Sequence, residues 1–339
     1  MSSERLARIL VIALVAAAII IPALAWGLRS QGQVIHARIP ENGGWMPDAL
    51  KAEVGKPLRL RLTSDDVTHG FGLGKSGLQP VDIHPGQTSE VTLNFDKPGT
   101  YTFYCTRWCS VNHWRMRGVI EVSDPNNPAA DPPAEPVQPP LYIQLGLDID
   151  AEHHADVIPE QMPSARRGAQ FGAAVPAAYR SREYYLSHSP LELWKALRNE
   201  PALAQLSAQQ TWDLAAWIWS ENTSSAELEQ GRALYAANCA TCHGETGRGD
   251  GVYADELAGP QSTGAAAGHA GMQTGAMTAP PSDFTDPEHM LAASPAHLQG
   301  KLLRGGMGTG MPGWGQIFTG QQTWALVAAL WSFQFDLGK

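Results

Sequence analysis

Between residues 33 and 122, apolar side chains fall on every second position of several short runs. In KPLRLRLT, Leu58, Leu60 and Leu62 alternate with Arg59 and Arg61, the period of a strand buried on one face. SEVTLNF repeats the alternation through Val91, Leu93 and Phe95. The turn Asp96–Gly99 then leads into TYTFY, and the two runs predict a hairpin. Short strands between turn signals predict a β-sandwich of about 90 residues.

On either side the pattern changes. Ile9–Leu28 is twenty residues without a charge, preceded by Arg5 and Arg8. As a helix such a run spans about 30 Å, one hydrocarbon thickness. Basic residues ahead of it keep the amino terminus cytoplasmic and send the remainder outside. Pro22 followed by Ala23-Leu24-Ala25 also fits a signal-peptide cleavage site, and on either reading the soluble part is exported. After the sandwich, SDPNNPAADPPAEPVQPP (residues 123–140) is a stiff, proline-rich linker.

Past the linker the period becomes helical and a repeat emerges. SPLELWKAL (189–197) leads to QQTWDLAAWIWS (209–220), and SPAHLQGKL (294–302) leads to QQTWALVAALWS (321–332). Each unit opens on Ser-Pro, a cap followed by a first-turn proline. Ser189 with Glu192, Ser207 with Gln210 and Thr319 with Gln322 predict capping boxes. The blocks start 20 residues apart in the first copy and 27 in the second, and the extra residues fall at GGMGTGMPGW. The chain is therefore expected to be multidomain. A transmembrane helix (1–30) precedes an all-β sandwich (31–124) and a linker (125–140). Two all-α units, 141–223 and 224–339, follow.

Composition narrows the chemistry. At 339 residues, 43% hydrophobic and 17% charged, the chain can bury several cores. A net charge of -9 with no basic stripe excludes a nucleic-acid partner. The four cysteines fall in two close pairs, which point to metal or cofactor attachment rather than a disulfide framework.

Cys239-Ala-Thr-Cys242-His243 is a CxxCH haem-attachment motif: two thiols for the vinyl groups and an adjacent histidine for the iron. A zinc site would need further ligands at matching spacing, and none follow. The Met-Pro pair in GMGTGMPGW, together with GRALYAANCATCHGETGRGDG and PPSDFTDPE, resembles class I cytochromes c over residues 226–335. The resemblance implies one covalent haem c with Met311 as its second axial ligand, Met307 being the alternative. The alanine- and glycine-rich segment 257–279 reads as a surface loop. The first helical copy has no cysteine, so it resembles a cytochrome c domain that kept its flanking helices and lost its cofactor. It is expected to act as a spacer or packing partner. His153 and His154 within it read as solvated loop residues.

FYCTRWCSVNHWRMRG (103–118) places Cys105, Cys109, His113 and Met116 four, four and three residues apart. A zinc site would leave the methionine without a role, and a mononuclear copper site would leave one thiolate spare. A binuclear copper site uses all four but needs a second histidine upstream, which His69 in DDVTHGF supplies. A disulfide would leave His69, His113 and Met116 unexplained. His84 reads as a loop residue.

Here the sequence resembles the CuA domain of haem–copper oxidase subunit II, and also that of nitrous oxide reductases. The motifs are DDVTHGFGL, PGQTSEVTLNF, DKPGTYTFYC and MRGVIEV. The resemblance implies a cupredoxin fold in which Cys105 and Cys109 bridge two coppers. His69 and Met116 would serve one copper, and His113 and the Arg107 carbonyl the other. Many subunits II carry a glutamate where Arg107 stands, and its side chain also serves a magnesium site facing the catalytic subunit. The aromatic-rich strand that many oxidases use for cytochrome docking has no counterpart beyond Trp45.

Together the two resemblances imply a non-catalytic electron-entry subunit of a respiratory terminal oxidase (cytochrome c oxidase). It would be a single-pass protein of the cell membrane with its soluble domains on the periplasmic side. Its partners would be an external donor, such as a soluble cytochrome or cupredoxin, and a membrane-embedded haem–copper catalytic subunit. No gas-reducing site is expected on this chain. The alternative is the small subunit of a CuA-containing nitric oxide reductase of the same superfamily.

Overall fold

The computed structural model describes residues 10–21, 32–110, 112–126, 138–255, 280–306 and 310–339. In the amino-terminal apolar run residues 10–21 are helical, and the rest of the expected span lies outside the described residues. Among the described residues no helix is long and apolar enough to cross a membrane. Most of the proline-rich linker, the segment 256–279 and Met307 also lie outside them.

Nine strands among the described residues form a two-sheet sandwich. One sheet contains β1 (Gln33–Ala37), β2 (Trp45–Met46), β4 (Leu58–Ser64) and β7 (Thr88–Leu93), in the order β2-β1-β4-β7. The other contains β3 (Ala49–Glu53), β5 (His69–Leu73), β6 (Val81–Ile83), β8 (Gly99–Cys105) and β9 (Arg117–Ser123), in the order β3-β9-β8-β5-β6. β1 runs parallel to β4, and β3 parallel to β9. The alternation in β4 and β7 does what it predicts: Leu60, Leu62, Val91 and Leu93 are buried, facing the sandwich core.

The hairpin expectation is wrong. β7 pairs with β4 in the first sheet, whereas β8 pairs with β9 in the second. Asp96–Gly99 carries the chain from one sheet to the other. Phe95, 3% exposed, is buried at this crossover, with its ring 4.7 Å from that of Tyr101. Both runs have a buried face, and they meet across the core from opposite sheets. The crossover also makes β8 a neighbour of β5, so that β5 begins at His69 where β8 ends at Cys105.

The helical part repeats one arrangement twice. In the second copy the helix Ser225–Asn238 crosses the final helix Gly320–Trp331, with Gly231 at the crossing. A methyl group on Gly231 would lie 1.8 Å from the Ala325 carbonyl oxygen. In the first copy the short helix Ala165–Gly168 crosses Ala208–Glu221, and a methyl on Gly168 would lie 2.0 Å from the Asp213 carbonyl oxygen. Asp213 and Ala325 occupy the same place in the QQTW repeat. Both crossings therefore use glycine to let backbones touch. Asp213, buried where the second copy has alanine, is paired with Arg167 at 2.8 Å and accepts a hydrogen bond from the Ser164 amide. The capping boxes at Ser189, Ser207 and Thr319 all form, and Ser224 with Glu227 adds one more.

The copies pack on one another through equivalent tryptophans. Trp219 and Trp331, both fully buried, meet edge to face at 5.8 Å, and Phe335 lies 6.0 and 5.8 Å from them. The last residues of the chain return to the first copy: Ala165 and Asp336 are joined backbone to backbone, and Ser220 Oγ donates to the Leu337 carbonyl at 2.8 Å.

Candidate functional site

His69, Cys105 and Cys109 present ligand atoms that all lie within 4.8 Å of one another. His69 is wholly buried at the start of β5 and Cys105 is 3% exposed at the end of β8. The two sulfurs are 3.9 Å apart, far beyond a disulfide bond of about 2.05 Å. That separation is less than twice a metal–thiolate bond of roughly 2.3 Å, so one ion can touch both sulfurs. The Cys105 thiol also donates to the Arg107 carbonyl at 3.1 Å, and Cys109 Sγ lies 3.9 Å from Met116 Sδ. Met116 is 2% exposed and its carbonyl accepts from the Cys105 amide at 3.0 Å. His113 opens the short helical turn His113–Arg115 in the same loop, between Cys109 and Met116.

The protonation chemistry suits a cation. The Cys109 thiol is pushed far up by its hydrogen bond to Cys105, by burial and by the Cys105 charge. Two thiolates this close cannot both ionise unless something positive sits between them. Burial pulls the His69 imidazole down, but its hydrogen bonds to Cys105 and Asp66 outweigh this and leave it above its ordinary value.

Three residues support the site through contacts the sequence did not reveal, and Asp66 among them was not singled out there at all. Asp66 Oδ1 is 2.7 Å from His69 Nε2, which turns Nδ1 toward Cys105 Sγ at 3.8 Å. The other Asp66 oxygen accepts from the Ile39 amide, so the carboxylate is itself held. The signal was present in DDVTH, where Asp66 precedes His69 by one turn's spacing. Trp45, 3% exposed, packs on Phe71 and Phe103 and donates its indole N–H to the Met116 carbonyl at 3.1 Å. It is a buttress of the site, not a surface aromatic. Arg107 makes a two-pronged ion pair with Asp82 at 2.8 Å, which fixes the loop between the cysteines to β6.

The second site is a cavity of about 510 Å³ in the helical part, within the usual span for a cofactor. Cys239, Cys242 and His243 line it, as does Met311, so the four residues expected to hold a haem converge on one space. His243 Nδ1 donates to the Ser282 carbonyl at 3.1 Å, leaving Nε2 for a ligand, and its ring stacks on Phe284. Burial holds this imidazole below its ordinary value, in the neutral form that binds iron. Burial, then the neighbouring Cys242, pushes the Cys239 thiol up to about 12, and burial takes Cys242 to about 11. Leu298, Leu302, Leu326 and Leu330 supply apolar lining. Cavity volume, thiol pair and converging axial candidates all fit a covalent haem.

One expectation here is overturned. His153 is not a solvated loop residue: it lines the cavity, its ring 4.6 Å from that of His289 and 4.5 Å from that of His297. Residues 141–155 pack on the helix Pro295–Arg304 of the second copy, and this contact turns the histidine inward.

Comparisons with known proteins divide along the same lines. Residues 48–123 match the family "Cytochrome C oxidase subunit II, periplasmic domain", and residues 228–334 match "Cytochrome c". A cytochrome c oxidase subunit 2 from Thermus thermophilus is 32% identical over 81 residues, 24% of this chain and 59% of the relative. A nitrous-oxide reductase from Cupriavidus necator is 37% identical over 72 residues, 20% of this chain and 11% of that protein. The periplasmic domain of cytochrome oxidase subunit II from Bradyrhizobium japonicum covers 29% of this chain and 88% of its own, at 21% identity and a TM-score of 0.23. The chain thus spans about half the length of the oxidase subunits it matches. It joins a segment that matches the periplasmic domain of cytochrome c oxidase subunit II to one that matches cytochrome c.

Proposed function

We propose that this chain is the electron-entry subunit of a respiratory haem–copper terminal oxidase. Its amino-terminal apolar run would anchor it, with the soluble domains on the periplasmic side. The observation that carries the reading is the presence on one chain of a dithiolate–histidine group and a CxxCH-lined cavity, in domains of two electron-transfer families. A binuclear copper centre and a haem c, when bound, supply one-electron couples. His69, Cys105, Cys109, His113, Met116 and the Arg107 carbonyl would hold the first; Cys239, Cys242, His243 and Met311 the second. The chain would take single electrons from an external donor, a soluble cytochrome or cupredoxin, and hand them to a membrane-embedded catalytic subunit. Asp66, Trp45 and the Asp82–Arg107 pair keep the thiolate loop from shifting as charge changes, which lowers the reorganisation each transfer requires.

A nitric oxide reductase of the same superfamily is the second reading, supported by Arg107 in place of glutamate. Oxygen uptake and nitric oxide consumption by the membrane complex separate the two. Rapid oxygen uptake with negligible nitric oxide turnover is expected, and the reverse would sink the oxidase reading.

The axial assignment has its own test. Met311→Ala is expected to lose the weak near-infrared methionine–iron band of the oxidised haem, while Met307→Ala keeps it. Loss in the Met307 variant alone would mean that the Met-Pro alignment is wrong.

A further inference from the structure

The strap Asp148–Ala155 lies near the start of the first copy and outside the cytochrome c match, yet residues 149–154 line the haem cavity. It is firmly pinned. Asp150 binds Lys301 at 2.8 Å and Arg304 at 2.6 Å, and the Ala155 amide donates to the Glu288 carbonyl at 2.7 Å. Ile149, 2% exposed, packs against Gly300. The strap carries His153, whose Nδ1 donates to the Ala151 carbonyl at 3.1 Å. Its Nε2 is buried with no hydrogen-bond partner among the described residues. An orphaned polar nitrogen in a cavity is costly unless something fills it.

The haem periphery has only two strongly polar substituents, its propionate carboxylates. Leucines cover much of the cavity wall, and burying a carboxylate against them is costly. His153, His289 and His297 form a polar corner of imidazoles in that same cavity. We propose that this strap is an integral wall of the haem site, and that His153, backed by His289 and His297, binds the propionate edge of the haem. The inference rests on the haem reading above and assigns the site residues outside the cytochrome c domain.

The charges around the corner make the contact responsive to redox state. Burial, then His153, Lys301 and His289, press His297 down to about 4, and burial followed by His153 also lowers His289. Asp150 acts in the opposite sense on His297 and Asp286 on His289, while His154 and Lys301 add to the lowering of His289. Without an anion, adjacent imidazoles resist protonation; a carboxylate among them reverses this. With a haem bound and reduced by its donor, His153, His289 and His297 would together take up one proton from solvent at this edge.

The test is the haem midpoint potential of the full chain, measured against pH in the unsubstituted protein, His153→Phe and His153→Gln. The unsubstituted potential is expected to fall with rising pH through one protonation step. His153→Phe keeps the ring stack and loses the donor, so the potential drops and the step shifts by a unit or more or vanishes. His153→Gln retains an N–H donor, so the potential stays near native while the step disappears. Curves that superimpose on the unsubstituted one, in the Phe or in the Gln variant, overturn the inference. Loss of the methionine–iron band in His153→Phe would overturn it too, because His153 would then act on the iron. If the unsubstituted chain carries no covalent haem by pyridine haemochrome assay, it is the haem reading itself that fails.

Discussion

Cys109→Ser is expected to abolish the paired-copper signal of the copper-loaded protein. One electron shared by two equivalent copper nuclei gives a seven-line hyperfine pattern in electron paramagnetic resonance, and a single copper gives four lines. The 3.9 Å separation of Cys105 and Cys109 lets both sulfurs reach the same ions, and Met116 Sδ lies equally far from Cys109. Serine supplies a harder oxygen that binds copper weakly, so the bridge loses one of its two arms. The variant should bind about half the copper and show four lines, or bind none. Because Cys109 is not in the sealed core as Cys105 is, the sandwich should remain folded by circular dichroism. Retention of the seven-line pattern would show that Cys109 is not a bridge. Met116→Leu, a swap of similar volume, should keep seven lines with altered splitting, because a thioether is a weak ligand beside two thiolates.

The largest stability effect is expected at the helix crossings. Gly231→Ala puts a methyl 1.8 Å from a backbone oxygen, and a backbone cannot step aside as a side chain can. The helices must separate, at a cost of about 3 kcal/mol or more. Differential scanning calorimetry should show a lower Tm, and the methionine–iron band of the oxidised haem should vanish in the same transition. Gly168→Ala meets the Asp213 carbonyl at 2.0 Å and disturbs the crossing in the cysteine-free copy. If the copies are one cooperative unit, as the Trp219–Trp331 contact implies, this variant also lowers the temperature at which that band vanishes. Gly320→Ala is the control: nothing lies within 4 Å of the added methyl, so its Tm should match the unsubstituted protein. A neutral Gly231→Ala would contradict the crossing geometry.

Much of this was legible in the sequence. Period-two runs such as Leu58–Leu62 located strands because burial of one face is a local property, and the capping boxes were readable because their partners are three residues apart. The thiolate pair and CATCH were readable because metal and haem chemistry demand close spacing. Features set by distant packing were not. The step from β7 to β8 looks like a hairpin turn locally, and only the shared core decides that it bridges two sheets. His153 looks solvated until Asp150 finds Lys301 and Arg304, some 150 residues on. Asp66 and Arg107 were in view as residues, but the carboxylate–imidazole contact and the clasp to Asp82 depend on how the loops fold back.

The meeting of Trp219 and Trp331 has a consequence for assembly. Two related domains facing one another through equivalent residues make the contact of a symmetric dimer, but here both halves belong to one polypeptide. Covalent linkage holds the partners at an effective concentration of order millimolar, whatever the protein's abundance. An ordinary dimer would come apart on dilution and lay bare the two indoles. This one cannot, so the half with the CxxCH motif keeps the cysteine-free half beside it at any expression level.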